Sequence, residues 1–110
     1  SNDWIYPHLH KMTELMVDLA RTNKKASGLR RRALNQAARE LLLSQASDWA
    51  FIMKMKTTAS YAVRRTREHI YNFTRLHESI TGETINQEWL SSLEQRNSIF
   101  PSIDYRVYCP

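Results

Sequence analysis

Glycine and proline are scarce in this chain, with two and three copies among 110 residues. A sandwich or barrel of short strands needs a turn signal every ~8–12 residues, and these are missing. The same shortage excludes a glycine-rich phosphate loop. The single cysteine, Cys109, excludes an internal disulfide framework and fits a reducing compartment; beside the chain's end it is no candidate for a reactive role. No apolar run approaches the ~18–20 residues of a membrane span, and the opening residues do not resemble a cleaved signal. A cytoplasmic location without a membrane partner is the expectation.

What is present is ordinary for a globular chain: 42% apolar and 25% charged residues, enough for one small domain with one core. The net charge is +5. Its clearest concentration is the stretch Arg21–Arg32, where Arg21, Lys24, Lys25, Arg30, Arg31 and Arg32 meet no acidic residue. A basic all-helical domain is the usual starting point for a nucleic-acid reading. Two features oppose it: there is no helix-turn-helix spacing with a polar recognition face, and Arg30-Arg31-Arg32 spread around most of a helical turn.

Apolar spacing predicts long helices with few connections. Ile5, Leu9, Met12, Met16 and Leu19 mark one helix face from about Asp3 to Thr22, with Asn2 or Asp3 as cap. Asn23 to Gly28 breaks the pattern. A second helix runs from Ser27 or Gly28 to about Asp48, its apolar face wide enough to touch more than one neighbour. Trp49 to Met53 then reads as a partly buried connection. A third helix starts at Thr57 or Thr58, turns Ala59, Ala62, Val63, Thr66, Ile70, Phe73, Leu76 and Ile80 inward, and stops at Gly82 in a left-handed C-cap. A short fourth helix, Gln87 to Arg96, faces Trp89, Leu90 and Leu93 inward, and the tail from Ile99 to Tyr108 is extended. The fold class is therefore an all-α bundle of three to four helices with an extended C-terminal tail.

Catalytic chemistry finds little support. His8 and His10 project ~200° apart on a helix and cannot share one ion. His77-Glu78-Ser79-Ile80-Thr81 begins like a zinc-protease motif but ends on threonine where a histidine must stand. No Glu-x-x-His pair and no Gly-x-Ser-x-Gly elbow occurs. The acidic residues alternate with lysine and arginine, as on solvated helix faces. No metal, no cofactor and no catalytic residue is expected, and all four histidines read as surface or internally satisfied side chains. Trp4 and Trp49 stand apart: each follows an Asp, in Asn2-Asp3-Trp4 and Ser47-Asp48-Trp49, and each falls near a helix end. An antiparallel hairpin of the first two helices brings these ends to one pole. Aromatic faces beside carboxylate and amide groups suit sugar rings, whose C–H faces are apolar and whose rims hydrogen-bond. Packing in the core is the competing reading for both.

The stretch from Arg32 to Met53, read as RALNQAARELLLSQASDWAFIM, resembles the helical C-terminal domain of family 57 glycoside hydrolases of the 1,4-α-glucan branching enzyme type. Asn2-Asp3-Trp4-Ile5-Tyr6, Tyr61 to Ile70, and Ile99 to Tyr108 agree in the same order. Departures are local. Met55-Lys56 stand where relatives tend to carry Thr-Gly, and Arg96-Asn97-Ser98 replaces Arg-Asp-Asn.

The resemblance implies a catalytic barrel domain in the same full-length chain as partner and an α-glucan as substrate, within cytoplasmic glycogen biosynthesis. In that family a barrel glutamate and aspartate transfer a glucan chain from an α-1,4 to an α-1,6 linkage with retention, a geometry that needs carboxylates ~5–5.5 Å apart. Those barrel motifs are absent here, so the chain alone is expected to be inactive. It also implies aromatic side chains lent to the cleft: Trp49 first, Trp4 second, with Asp48 as a polar neighbour. The alternative is a free-standing basic helical module for a protein or nucleic-acid partner, nucleic acid being disfavoured by the arginine placement.

Overall fold

A computed structural model describes residues 4–53 and 56–110, with side chains described for 4–46 and 63–110. Four α-helices follow one another: α1 (Ile5–Thr22), α2 (Gly28–Met53), α3 (Lys56–Thr81) and α4 (Gln87–Arg96), and a 3-10 turn (Tyr105–Tyr108) follows α4. No strand occurs among the described residues. The all-α bundle expected from apolar spacing is thus observed.

The two 26-residue helices α2 and α3 pack as an antiparallel hairpin, and α1 lies against both. The α4 helix packs on α2, and the 3-10 turn covers α1 and α2. Met12, Met16 and Leu19 from α1, Leu34 and Leu41 from α2, Phe73, Leu76 and Ile80 from α3, and Leu90 and Leu93 from α4 meet in one buried cluster. Each fully buried side chain of this size contributes about 1.5–3 kcal/mol relative to exposure. The helix α2 is central. Ala33, Leu34, Ala37, Ala38 and Leu41 are buried, and so are Gln36, Arg39, Glu40 and Ser44, so every side of its middle meets protein. That is the burial pattern of a helix with neighbours all round, as its wide apolar face predicts.

Several boundaries differ from the sequence reading, for identifiable reasons. Helix α2 continues through Met53, so Trp49 lies inside its last turns and not in a connection. The expected caps Asn2 and Asp3 lie outside the described residues; Trp4 occupies the N-cap position of α1 and makes no side-chain cap bond. Helix α3 begins at Lys56, ahead of Thr57 and Thr58. Its C-terminus places the left-handed residue one step later than expected, at Glu83 (φ 55°) and not Gly82. Gly82 still donates to Glu78 O at 2.9 Å, while Glu83 N–H reaches Ile80 O and Thr84 N–H reaches Ser79 O at 2.9 Å. Those two bonds form a Schellman closure around Glu83.

The tail is not extended. Ile103 N–H closes a turn on Phe100 O at 3.0 Å, and Asp104 caps the 3-10 turn by accepting from Arg106 N–H at 3.0 Å. Burial of Tyr105 selects this shape: its N–H donates to Asn35 Oδ1 at 2.9 Å and its hydroxyl donates to Asn23 O. Trp89, expected in the core, is half-buried, with the Arg75 guanidinium carbon 4.0 Å from a ring centroid.

Candidate functional site

The sequence points to the pole that carries Trp4, Asp48 and Trp49. Trp4 is half-buried. The guanidinium carbon of Arg67, on α3, lies 4.9 Å from the Trp4 ring centroid, and the His8 ring meets Trp4 edge-on at 5.9 Å and 74°. One aromatic face is therefore already taken by a cation. The side chains of Asp48 and Trp49 lie outside the described residues; their backbone is helical. The buried contact between Glu40 and His69 sets the register of the α2–α3 hairpin. Counting nine residues on from Glu40 puts position 49 roughly 13 Å further along α2, at 1.5 Å per residue. Arg67, two residues before His69 on the antiparallel partner, marks the height of Trp4. By the same counting Arg67 lies only about 3 Å from the Glu40–His69 level, so Trp4 sits beside the middle of the hairpin, roughly 10 Å short of position 49, which is nearer the hairpin's turn.

A second constellation was not visible in the sequence. Glu40, expected among solvated acids, is fully buried and takes four donors. His69 Nδ1 at 2.7 Å and Asn72 Nδ2 at 3.2 Å reach Oε1; Gln36 Nε2 and Asn97 Nδ2, both at 2.9 Å, reach Oε2. Gln36 Nε2 also reaches Asn97 O, and its Oε1 accepts from Arg39 Nη1 at 2.8 Å. The Arg39 guanidinium then donates to the carbonyls of Ile99 (3.0 Å), Phe100 (3.4 Å) and Pro101 (3.3 Å). Burial pushes the Arg39 guanidinium below its ordinary value, and the carboxylates of Glu94 and Glu40 oppose that shift. Among the described residues no buried side-chain polar atom lacks a partner.

The available signal was positional. Gln36, Glu40 and Ser44 continue the stripe of Ala33, and His69 and Asn72 continue that of Thr66. Polar residues on an inward stripe must find partners inside. The network has no open coordination position. Among the described residues no group of three or more His, Cys, Asp or Glu side chains could hold a metal ion.

Above this network lies an apolar groove of about 440 Å³, lined by Leu42, Phe100, Pro101, Ser102, Ile103 and Val107. Beside it, Asp104 pairs with Arg106 at 2.8 Å and Arg31 at 3.7 Å. Hydrogen bonds from the Arg106 side chain and backbone hold the Asp104 carboxyl at about 2, against an ordinary 3.8.

The basic stretch is largely engaged within the protein. Arg30 donates to Asn23 Oδ1 at 2.6 Å and to Ile80 O at 3.2 Å, Arg32 pairs with Glu94 at 2.7 Å, and Arg21 pairs with Asp18. The Arg21 pair stays within α1, whereas Arg30, Arg31 (on Asp104) and Arg32 tie α2 to the end of α1, the end of α3, the tail and α4.

The family profile described as "1,4-alpha-glucan branching enzyme, C-terminal" matches residues 8–108. The chain belongs to the branching-enzyme C-terminal family. A 1,4-alpha-glucan branching enzyme of Thermococcus kodakarensis is 32% identical over 103 residues, covering 89% of this chain and 15% of that protein. The crystal structure of the alpha-amylase AmyC from Thermotoga maritima superposes with a TM-score of 0.89 at 44% identity, covering 99% of this chain and 21% of that one. The chain thus spans about a fifth or less of the length of these relatives. Trp49, the buried polar network and the groove all fall inside the span of the branching-enzyme C-terminal family, whereas Trp4 precedes it.

Proposed function

We propose that this domain serves a larger α-glucan branching enzyme, packing on a catalytic barrel of the same full-length chain and lending aromatic side chains to its glucan cleft. The supporting observation is the family match over residues 8–108 in a chain that spans 15% of a branching enzyme and 21% of an amylase. Membership of glycoside hydrolase family 57 and a role in cytoplasmic glycogen biosynthesis are part of the same proposal.

Within this reading Trp49 is the first aromatic contact with glucan, Trp4 the second, and Asp48 a polar neighbour. Two features favour that order. At 26 residues each, α2 and α3 are about 39 Å long against about 27 Å for the 18-residue α1, so the hairpin end that bears Trp49 outruns its neighbour. Arg67 already covers one face of Trp4. A sugar stacked at that end would exclude water from the acceptor side and favour attack by a 6-hydroxyl over hydrolysis.

A second outcome, hydrolysis without transfer, is motivated by the 44% identity to an amylase. Both outcomes are read in one experiment. The 110-residue chain alone, incubated with amylose, is expected to form no α-1,6 branch points and no reducing ends. The full-length protein is expected to form branch points in excess of reducing ends. Branching by the isolated chain would refute an accessory role, and reducing ends alone from the full-length protein would replace transfer with hydrolysis. The basic-module alternative predicts salt-dependent duplex binding by the isolated chain at micromolar concentration; the internal engagement of Arg30, Arg31 and Arg32 argues against it.

A further inference from the structure

We infer that the groove between α2 and the C-terminal segment is the seat on which the rest of the full-length chain docks, with Phe100 as its anchor. This rests on the reading that the domain is part of a longer chain, and it adds which face meets that chain.

The groove is apolar at its centre and charged at its edge. Five of its six lining residues are Leu42, Phe100, Pro101, Ile103 and Val107. Phe100 is 52% exposed and Val107 72% exposed, with Ile99 beside them. The ion pairs of Asp104 with Arg31 and Arg106 lie next to it. An apolar centre with a polar rim is the anatomy of a protein interface.

The backbone beneath the groove is held against its own preference. Phe100 has φ 51°, a left-handed conformation that L-residues avoid and glycine adopts freely. Three of the loop's carbonyls, those of Ile99, Phe100 and Pro101, are gripped by the buried Arg39 guanidinium. Asn97, at the start of the loop, is fixed by Glu40. A loop that only connected α4 to the 3-10 turn would be served better by glycine at position 100. Here a buried network braces a strained backbone, and the result is a large ring presented to solvent. Strain of this kind, over-determined by its surroundings, is characteristic of binding surfaces.

The size of the groove selects the occupant. A groove of about 440 Å³ supplies an anchor site but not by itself the roughly 20–30 residues per side of a stable complex between separate molecules. A covalently tethered partner needs far less, because the tether supplies a high effective concentration. The relatives carry this domain within chains about five to seven times its length, as the 21% and 15% coverages imply. The rest of the same chain is therefore a better match than a second copy.

The test compares Phe100→Gly in two settings. In the 110-residue chain the urea midpoint is expected to stay level or rise, because glycine accepts the positive φ and the lost ring is half exposed. In the full-length protein the same change, alone or with Val107→Ser, is expected to separate unfolding into two steps and to speed protease cleavage at the domain junction about tenfold, the equivalent of one decade in the docking equilibrium. Tyr71→Ala, at an equally exposed position on α3, should do neither. A full-length Phe100→Gly protein that keeps wild-type cooperativity and cleavage would overturn the assignment. So would a dimer of the 110-residue chain that Phe100→Gly dissolves while the full-length protein is unaffected. A full-length protein without activity on α-glucan that still loosens on Phe100→Gly would refute the functional reading and uphold the docking face.

Discussion

The middle of α2 has two seams that hold the fold by different means. Toward α1 it presents alanine and leucine to Met12, Met16 and Leu19, and the contact is apolar. Toward α3 and the loop after α4 it presents Gln36, Arg39 and Glu40 to His69, Asn72, Asn97 and three backbone carbonyls. The apolar seam is non-directional and tolerates substitutions that conserve volume. The polar seam is directional: its donors are aimed at fixed acceptors, and removing the Glu40 carboxylate strands several at once. One seam supplies stability, and the other fixes where the Asn97–Pro101 loop sits.

The largest effect should come from emptying the polar seam. Glu40→Ala removes the carboxylate that takes four buried donors, strands those of His69, Asn72 and Asn97, and is expected to cost about 3–5 kcal/mol, read from the urea midpoint. The isosteric Glu40→Gln should still cost about 1–3 kcal/mol, because its amide group turns a donor toward donors. On the apolar seam the matching isosteric swap, Met16→Leu, should cost less than ~1.5 kcal/mol. If Glu40→Gln proved as mild as Met16→Leu, the distinction between the seams would fail.

The smallest effect sharpens the same contrast at the surface. Asp104 is held at about 2 by Arg106, below its ordinary 3.8. A carboxyl depressed on folding adds stability that is complete above its unfolded value and is lost as pH falls through its folded value. The gap between the parent and Asp104→Asn should therefore be constant above pH about 4 and should close between about 4 and 2. Solvent screening keeps it well below the Glu40 effect. An acid titration of the urea midpoint reads both.

The two seams also differ in how far the sequence disclosed them. Met12, Met16 and Leu19, or Phe73, Leu76 and Ile80, announce a buried face because apolar residues recur at the helical period, and each can be read without knowing its partner. Glu40 announces nothing of the kind. Its burial depends on His69 and Asn97, 29 and 57 residues away, and an isolated acid on a helix reads as solvated until those partners are known. The polar pair Ser47-Asp48 resembles a helix stop in the sequence, while α2 continues through it to Met53. The tail carries no local sign of its turn because the tie from Tyr105 to Asn23 and Asn35 is equally non-local. For the proposed glucan contacts, the sequence singled out Trp4 and Trp49, and the structure adds Arg67 and His8 as the neighbours of Trp4.

The central claim is that the hairpin end bearing Trp49 meets the glucan. It is tested most directly by measuring new α-1,6 linkages against released reducing ends for full-length Trp49→Ala and its parent on the same amylose. Loss of transfer relative to hydrolysis by about tenfold, the equivalent of about 1.4 kcal/mol, is the predicted result, with an unchanged unfolding midpoint. An unchanged ratio would contradict it and leave Trp49 a packing residue.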